Sequence, residues 1–101
     1  MESGVLYGYV EGFGLWVSDA GGSFVTPLRD VCNWNLTEAW INRFHRRYRD
    51  QTDDPHQRCD NIGAETYWTG HYVARGKACT RLWIEFYGRM LTEVCHDIFP
   101  Q

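Results

Sequence analysis

Residues 35–50 read Asn-Leu-Thr-Glu-Ala-Trp-Ile-Asn-Arg-Phe-His-Arg-Arg-Tyr-Arg-Asp, and this stretch decides the predicted fold. Asn35 followed by Glu38 matches a helix N-cap with an acid three residues later. Arginines near the end of the stretch would face the C-terminal carbonyls of a helix, where the helix dipole favours cations. Large apolar side chains also recur every four residues, which is typical of an amphipathic helix. These side chains are Leu36, Trp40, Phe44 and Tyr48.

Short runs of β-forming residues precede this predicted helix. They cover residues 4–11, 15–18 and 23–26, and glycine-containing turn signals separate them. Pro27 would end the third run. The pattern predicts a three-stranded meander over residues 4–26.

The C-terminal half predicts two more strands and a second helix. Residues 64–74 and 78–87 are interpreted as a hairpin that turns at residues 75–77, because apolar and polar residues alternate from Arg81 to Phe86. A helix over residues 89–98 would follow. One long helix through residues 83–98 is the alternative, but Gly88 would cost such a helix roughly 1 kcal/mol. The predicted fold is α+β: one domain over residues 1–101, with about five antiparallel strands in the order βββ-α-ββ-α and two helices on one sheet face.

Composition limits the location and the chemistry of the chain. The formal net charge of −3 argues against a surface built entirely for nucleic acid. No apolar stretch approaches the roughly 20 residues that a membrane helix needs. The first residues, Met-Glu-Ser-Gly, lack the basic and apolar regions of a secretory signal. We therefore expect an intracellular, cytoplasmic protein whose four cysteines are reduced.

Arginine is the most specific surface feature. Nine of the ten basic residues are arginine, and four of them fall between positions 43 and 49. On the predicted helix, Arg43, Arg46 and Arg49 lie on the side away from Trp40, and Arg47 flanks the apolar stripe. Such a face could bind phosphates or an acidic protein surface. The alternative is a solvated face paired with nearby aspartates.

Aromatic residues form a second candidate surface on the predicted hairpin. Alternate residues of a strand face opposite sides, so both faces of the hairpin carry aromatic rings. One face would pack against the helices, and the other would be exposed to a partner or covered by residues 1–26. The predicted partner-binding residues are Arg43, Arg46, Arg47, Arg49, Trp68, Tyr72 and Trp83.

Cysteine and histidine raise two chemical alternatives. His56 and Cys59 have the spacing of a metal-ligand pair, which Cys32, Cys79 and the adjacent Cys95 and His96 could complete. Only one such pair exists, so inert cysteines are favoured and we expect no metal or other cofactor. Cys59 could instead be a nucleophile assisted by His56 or His45. An orienting group and an oxyanion site are not recognisable, so we do not expect an enzyme.

These features predict a small binding protein that occupies a macromolecular partner, most readily a protein. Phage- or bacterium-encoded inhibitors, such as anti-CRISPR proteins and immunity proteins, are of this kind. The inference depends on the chain's size and on the lack of a reaction-specific motif, not on a matched family. A nucleic-acid-binding domain that uses residues 43–49 is the first alternative, and a small Cys/His-dependent enzyme is the second.

Overall fold

Nine strands account for all the regular structure of the computed structural model, which describes residues 4–27, 30–52, 56–84 and 88–98. None of these residues form a helix of the length and apolar character that a membrane crossing needs. The strands are β1 (Val5–Phe13), β2 (Trp16–Val25), β3 (Val31–Cys32), β4 (Asn35–Asn42), β5 (Arg47–Thr52), β6 (Cys59–Asp60), β7 (Ile62–Tyr72), β8 (Gly76–Ile84) and β9 (Arg89–Ile98).

The strands form two main antiparallel sheets. The first has the order β1-β2-β7, and the second has the order β5-β4-β8-β9. Strands β3 and β6 form a separate two-stranded pair. The connection between β7 and β8 leads from the first sheet to the second, so these two consecutive strands do not pair.

The inner faces of the two main sheets pack together and form the core. Val17 and Ala20 of β2 contact Trp40 of β4 and its neighbours, and Phe24 of β2 packs with Leu36 of β4 in a second cluster. The sheets approach closely at two glycines. A Cβ atom on Gly8 would lie 2.5 Å from Thr80 Oγ1, and one on Gly22 would lie 2.4 Å from Thr80 Cγ2.

The predicted helix over residues 35–50 is wrong. This stretch is a β-hairpin, in which β4 and β5 are joined by a turn at residues 43–46. A spacing of four residues also satisfies the two-residue period of a strand, so Leu36 and Trp40 lie on one face of β4 as readily as on one face of a helix. Asn35 and Glu38 are fully buried and do not cap a helix.

The other α+β elements are also corrected, because the described residues contain strands only. Residues 89–98 form β9, which pairs with β8 over its whole length. The predicted hairpin of residues 64–74 and 78–87 contains real strands with the wrong partners, since β7 pairs with β2 and β8 pairs with β4 and β9. The predicted meander is a two-stranded hairpin, with residues 19–22 inside β2. Residues 85–87 lie outside the described residues.

The cysteines form two disulfides, contrary to the expectation of reduced thiols. Cys32 is bonded to Cys59 across β3 and β6, and Cys79 is bonded to Cys95 across β8 and β9. Each bond joins residues that face each other directly in the strand pairing.

Candidate partner-binding surface

The turn between β4 and β5 presents an arginine and an aromatic ring in fixed positions. The Asn42 side-chain oxygen accepts hydrogen bonds from the backbone N–H groups of Phe44 and Arg46, at 2.9 and 3.1 Å. His45 adopts the left-handed conformation with a φ of 64°, which lets the chain reverse direction. The Arg43 guanidinium carbon lies 4.8 Å from the centre of the exposed Phe44 ring, close enough for a cation–π interaction.

Two other connections lie beside this turn. The Tyr48 hydroxyl accepts a hydrogen bond from the backbone N–H of Ala74, which follows β7. Val73 N–H in turn donates to the carbonyl of Leu15, in the turn between β1 and β2. These contacts bring Tyr72 to the same end of the molecule, where it is 76% exposed. We call this surface the arginine end and define it by Arg43, Phe44, Arg46, Arg47, Tyr48, Arg49 and Tyr72.

Positive charge is concentrated in the same region. Six of the ten basic residues belong to the β4–β5 hairpin or lie within one residue of the start of β8; they are Arg43, Arg46, Arg47, Arg49, Arg75 and Lys77. Arg47 forms an exposed ion pair with Asp50 at 3.2 Å. No carboxylate among the described residues lies within 4.0 Å of Arg43 or Arg46. The guanidinium groups of these two residues therefore have the capacity to bind an external carboxylate or phosphate.

The structure brings together five of the seven predicted partner-binding residues. The four arginines lie on one hairpin instead of one helix face, and Tyr72 lies near them. Trp83 is half-buried on the outer face of the second sheet, where its indole N–H donates to Thr37 Oγ1 at 2.9 Å. Trp68 belongs to β7, and its side chain lies outside the described part of the structure.

Sequence reasoning missed two of the three aromatic residues of this surface. Phe44 and Tyr48 were assigned to the buried stripe of a helix, yet they are 66% and 42% exposed. The signal that could have revealed them is Asn42, because asparagine is frequent where the chain reverses. Reading Asn42 as a turn would have divided the stretch into two strands.

A second cluster surrounds the Cys32–Cys59 disulfide and holds the connection between β5 and β7. The His56 ring stacks on Trp34 at 3.8 Å, and its Nε2 atom contacts a carboxylate oxygen of Glu65. Trp34 Nε1 donates to Asp60 Oδ2 at 3.0 Å, and Arg58 binds the same oxygen. The hydrogen bond from Trp34, and after it the one from Arg58, is the largest cause that lowers the pKa of Asp60 below its ordinary value. The cluster explains how a polar connection stays in place.

The metal and nucleophile alternatives both use cysteines that the structure places in disulfides. Cys59 Sγ is bonded to Cys32, so it is not a thiol available to His56. Among the described residues, the one group of three potential metal ligands within 4.8 Å of one another is Cys79, Glu93 and Cys95, and its two sulfurs are bonded to each other.

Comparison of the chain with protein-family models, with curated proteins and with solved structures finds no match in any of the three.

Proposed function

We propose that this chain is a binding protein whose arginine end occupies an acidic surface of a protein partner. The observation that carries the proposal is the pairing of Arg43 with the exposed Phe44 ring on a turn that Asn42 holds in place. A preorganised contact surface loses little conformational entropy on binding. Arginine and aromatic side chains are also the types most enriched among residues that dominate binding energy.

The charge distribution supports a protein partner over a nucleic acid. The formal net charge is −3, so electrostatic attraction to a polyanion would be confined to one end of the molecule. A protein with a local cluster of carboxylates matches such a limited positive patch, because close ion pairs select the partner and its orientation. Occupying a partner in this way is the mode of action expected of a small inhibitor or an immunity protein.

The compartment in which the partner is met stays a prediction. The sequence indicates a cytoplasmic protein, whereas two disulfides are typical of proteins in oxidising compartments. The proposed interaction requires only that the β4–β5 hairpin be folded, and neither disulfide lies within that hairpin.

The experiment compares capture by the native chain with capture by matched charge variants. Proteins retained from a host extract by the native chain are identified, purified and titrated against both forms by calorimetry. We expect Arg43→Glu with Arg46→Glu to weaken binding at least thirty-fold, which is about 2 kcal/mol. Arg89→Glu is the control, because Arg89 is exposed at the opposite end of the second sheet.

Three outcomes would overturn the proposal. The first is the same set of captured proteins, with the same affinities, for the native chain and the double variant. The second is an equal loss of affinity for Arg89→Glu. The third is a single-stranded oligonucleotide that binds the native chain with a steep salt dependence and does not bind the double variant. That result would identify the arginine end as a nucleic-acid site.

A further inference from the structure

The outer face of the first sheet carries a row of aromatic rings. Gly8 and Gly22 face the second sheet, so the residues that alternate with them point away from the core. On β1, Tyr7 is exposed and Tyr9 is half-buried. At the far end of the same face, Phe13 is exposed beside Trp16 and Tyr72. We call this surface the aromatic face and define it by Tyr7, Tyr9, Glu11, Phe13, Trp16, Asp19 and Tyr72.

The Tyr9 side chain extends from β1 over β2 towards β7. Its hydroxyl donates to Thr66 Oγ1 on β7 at 2.9 Å, which spans the intervening strand β2. The strand passes beneath the ring at Gly21, where a Cβ atom would lie 2.9 Å from both the Tyr9 ring and its hydroxyl. Glycine at this position therefore leaves space for the ring to lie against the backbone. One side of the ring rests on the sheet, and the other side is turned outward.

A second group of rings and two acids complete the surface. Trp16 and Tyr72 are paired across β2 and β7, and their rings meet edge to face at 5.0 Å. Glu11 and Asp19 face each other across β1 and β2, between this group and Tyr9. From Tyr7 to Phe13 the face extends over on the order of 20 Å, from the rise of a β-strand.

The charge of this face distinguishes it from the arginine end. Residues 4–27 and 62–72 contain neither lysine nor arginine. The only charged side chains that alternate onto the outer face of β1 and β2 are the carboxylates of Glu11 and Asp19. A phosphate-bearing or acidic ligand would be repelled there. A neutral ligand with many hydroxyl groups would donate hydrogen bonds to the carboxylates.

We propose that the aromatic face binds a neutral polysaccharide. Sugar rings present C–H groups on their faces and hydroxyl groups at their edges, and the C–H groups pack against the electron-rich face of an aromatic ring. Tyr9 and the Trp16–Tyr72 pair supply the stacking positions, and Glu11 and Asp19 accept from the hydroxyl groups between them. The proposal goes beyond the proposed function, because it concerns another class of ligand and a surface that shares only Tyr72 with the arginine end.

The test measures binding of neutral hexasaccharides: cellohexaose, xylohexaose, mannohexaose and N-acetylchitohexaose. Calorimetry and tryptophan fluorescence report binding by the disulfide-bonded chain. We expect at least one hexasaccharide to bind, and Tyr9→Ala or Trp16→Ala to weaken this binding at least ten-fold.

Tyr9→Phe, which keeps the ring, should bind within about three-fold of the native chain. Phe44→Ala, at the arginine end, should leave sugar binding unchanged. If Tyr9→Ala does not fold, Tyr7→Ala and Phe13→Ala replace it, since both side chains are exposed.

Four results would overturn the proposal. One is the absence of binding by every hexasaccharide up to its solubility limit. Another is equal affinity for the acidic hexasaccharide of galacturonic acid, which contradicts the charge argument. A third is an oligodeoxythymidine that binds the native chain and does not bind Tyr9→Ala. The fourth is a homodimer in light scattering that Tyr7→Arg dissociates, because a second copy of the chain would then cover this face.

Discussion

Glu38 places its carboxyl group in the interior between the two sheets, where it is fully buried. Thr80 Oγ1 donates to one carboxylate oxygen at 2.7 Å, and the other oxygen has no hydrogen-bond partner among the described residues. Burial raises the pKa of Glu38 from 4.5 to about 7, and the hydrogen bond from Thr80 offsets only part of this effect. The folded protein therefore holds the carboxyl proton more tightly than the unfolded chain does.

The raised pKa predicts that Glu38 makes stability depend on pH. Its contribution is fully present below pH 4.5 and is lost as the pH rises to about 7, because ionisation is easier in the unfolded chain. We expect this group alone to lower the free energy of unfolding by about 3 kcal/mol across that range. Urea unfolding of the native chain and of Glu38→Gln, between pH 4 and pH 8, measures the difference.

Glu11→Gln is the control for this measurement, since Glu11 is exposed on β1. Its pH dependence should run parallel to that of the native chain, whereas the curve of Glu38→Gln should lack the fall between pH 4.5 and 7. Parallel curves for all three proteins would contradict the assignment of a raised pKa to Glu38.

At the scale of the strand, the close approach of the two sheets depends on glycine. A Cβ atom at position 22 would lie 2.4 Å from Thr80 Cγ2 and 2.9 Å from the carbonyl oxygen of Tyr7. The second contact is with backbone, which cannot rotate away. We expect Gly22→Ala to reduce the free energy of unfolding by about 1 to 3 kcal/mol, the usual cost of forcing extra atoms into a packed interior.

Denaturant unfolding checks this prediction, with Ser23→Ala as the matched control. Ser23 is the next residue on β2 and alternates onto the outer face, so its change should cost less than about 0.5 kcal/mol. An equal effect of the two substitutions would mean that β2 tolerates volume on both faces and that the sheets are not tightly packed at Gly22.

The strands also show what the sequence could and could not predict. Alternation correctly indicated a strand over residues 81–84, as far as the structure describes it, and glycine at position 14 correctly indicated a turn. The helix over 35–50 failed because a four-residue repeat fits both periods, and the repeat was not weighed against Asn42 as a turn residue. The pairing of β7 with β2 could not be inferred, since local patterns contain no information about which distant strands meet.

The candidate surface was partly predictable for a related reason. Four arginines within seven residues lie close together in a hairpin as in a helix, so their grouping was correct although the element was wrong. Tyr72 could not be assigned to the same end without the contacts that join Ala74 to Tyr48 and Val73 to Leu15. The aromatic face likewise could not be predicted, because the sequence does not show which residues of β1, β2 and β7 lie side by side.

For the whole molecule, the two disulfides stabilise different kinds of structure. Cys79 and Cys95 are 16 residues apart and join two long strands that are already paired. Cys32 and Cys59 are 27 residues apart and join β3 to β6, each only two residues long. Each disulfide closes a loop and so lowers the conformational entropy of the unfolded chain, which stabilises the fold by about 3 kcal/mol. The local consequences should differ, because β8 is paired along its length with both β4 and β9, whereas the β3–β6 pair is extended only by the backbone bonds from Asn33 to Arg58 and from His56 to Trp34.

Paired cysteine variants separate these two roles. We expect Cys32→Ala with Cys59→Ala, and likewise Cys79→Ala with Cys95→Ala, to lower the free energy of unfolding by about 2 to 4 kcal/mol. Only the first pair should also open the cluster around Trp34. Hydrogen exchange at residues 56–61 should then become faster under native conditions, while β8 and β9 keep their protection. The second pair should leave exchange at residues 56–61 close to that of the native chain once global stability is taken into account. Unchanged exchange at residues 56–61 in the first pair would show that the contacts of Trp34 with His56 and Asp60 hold this connection without the disulfide.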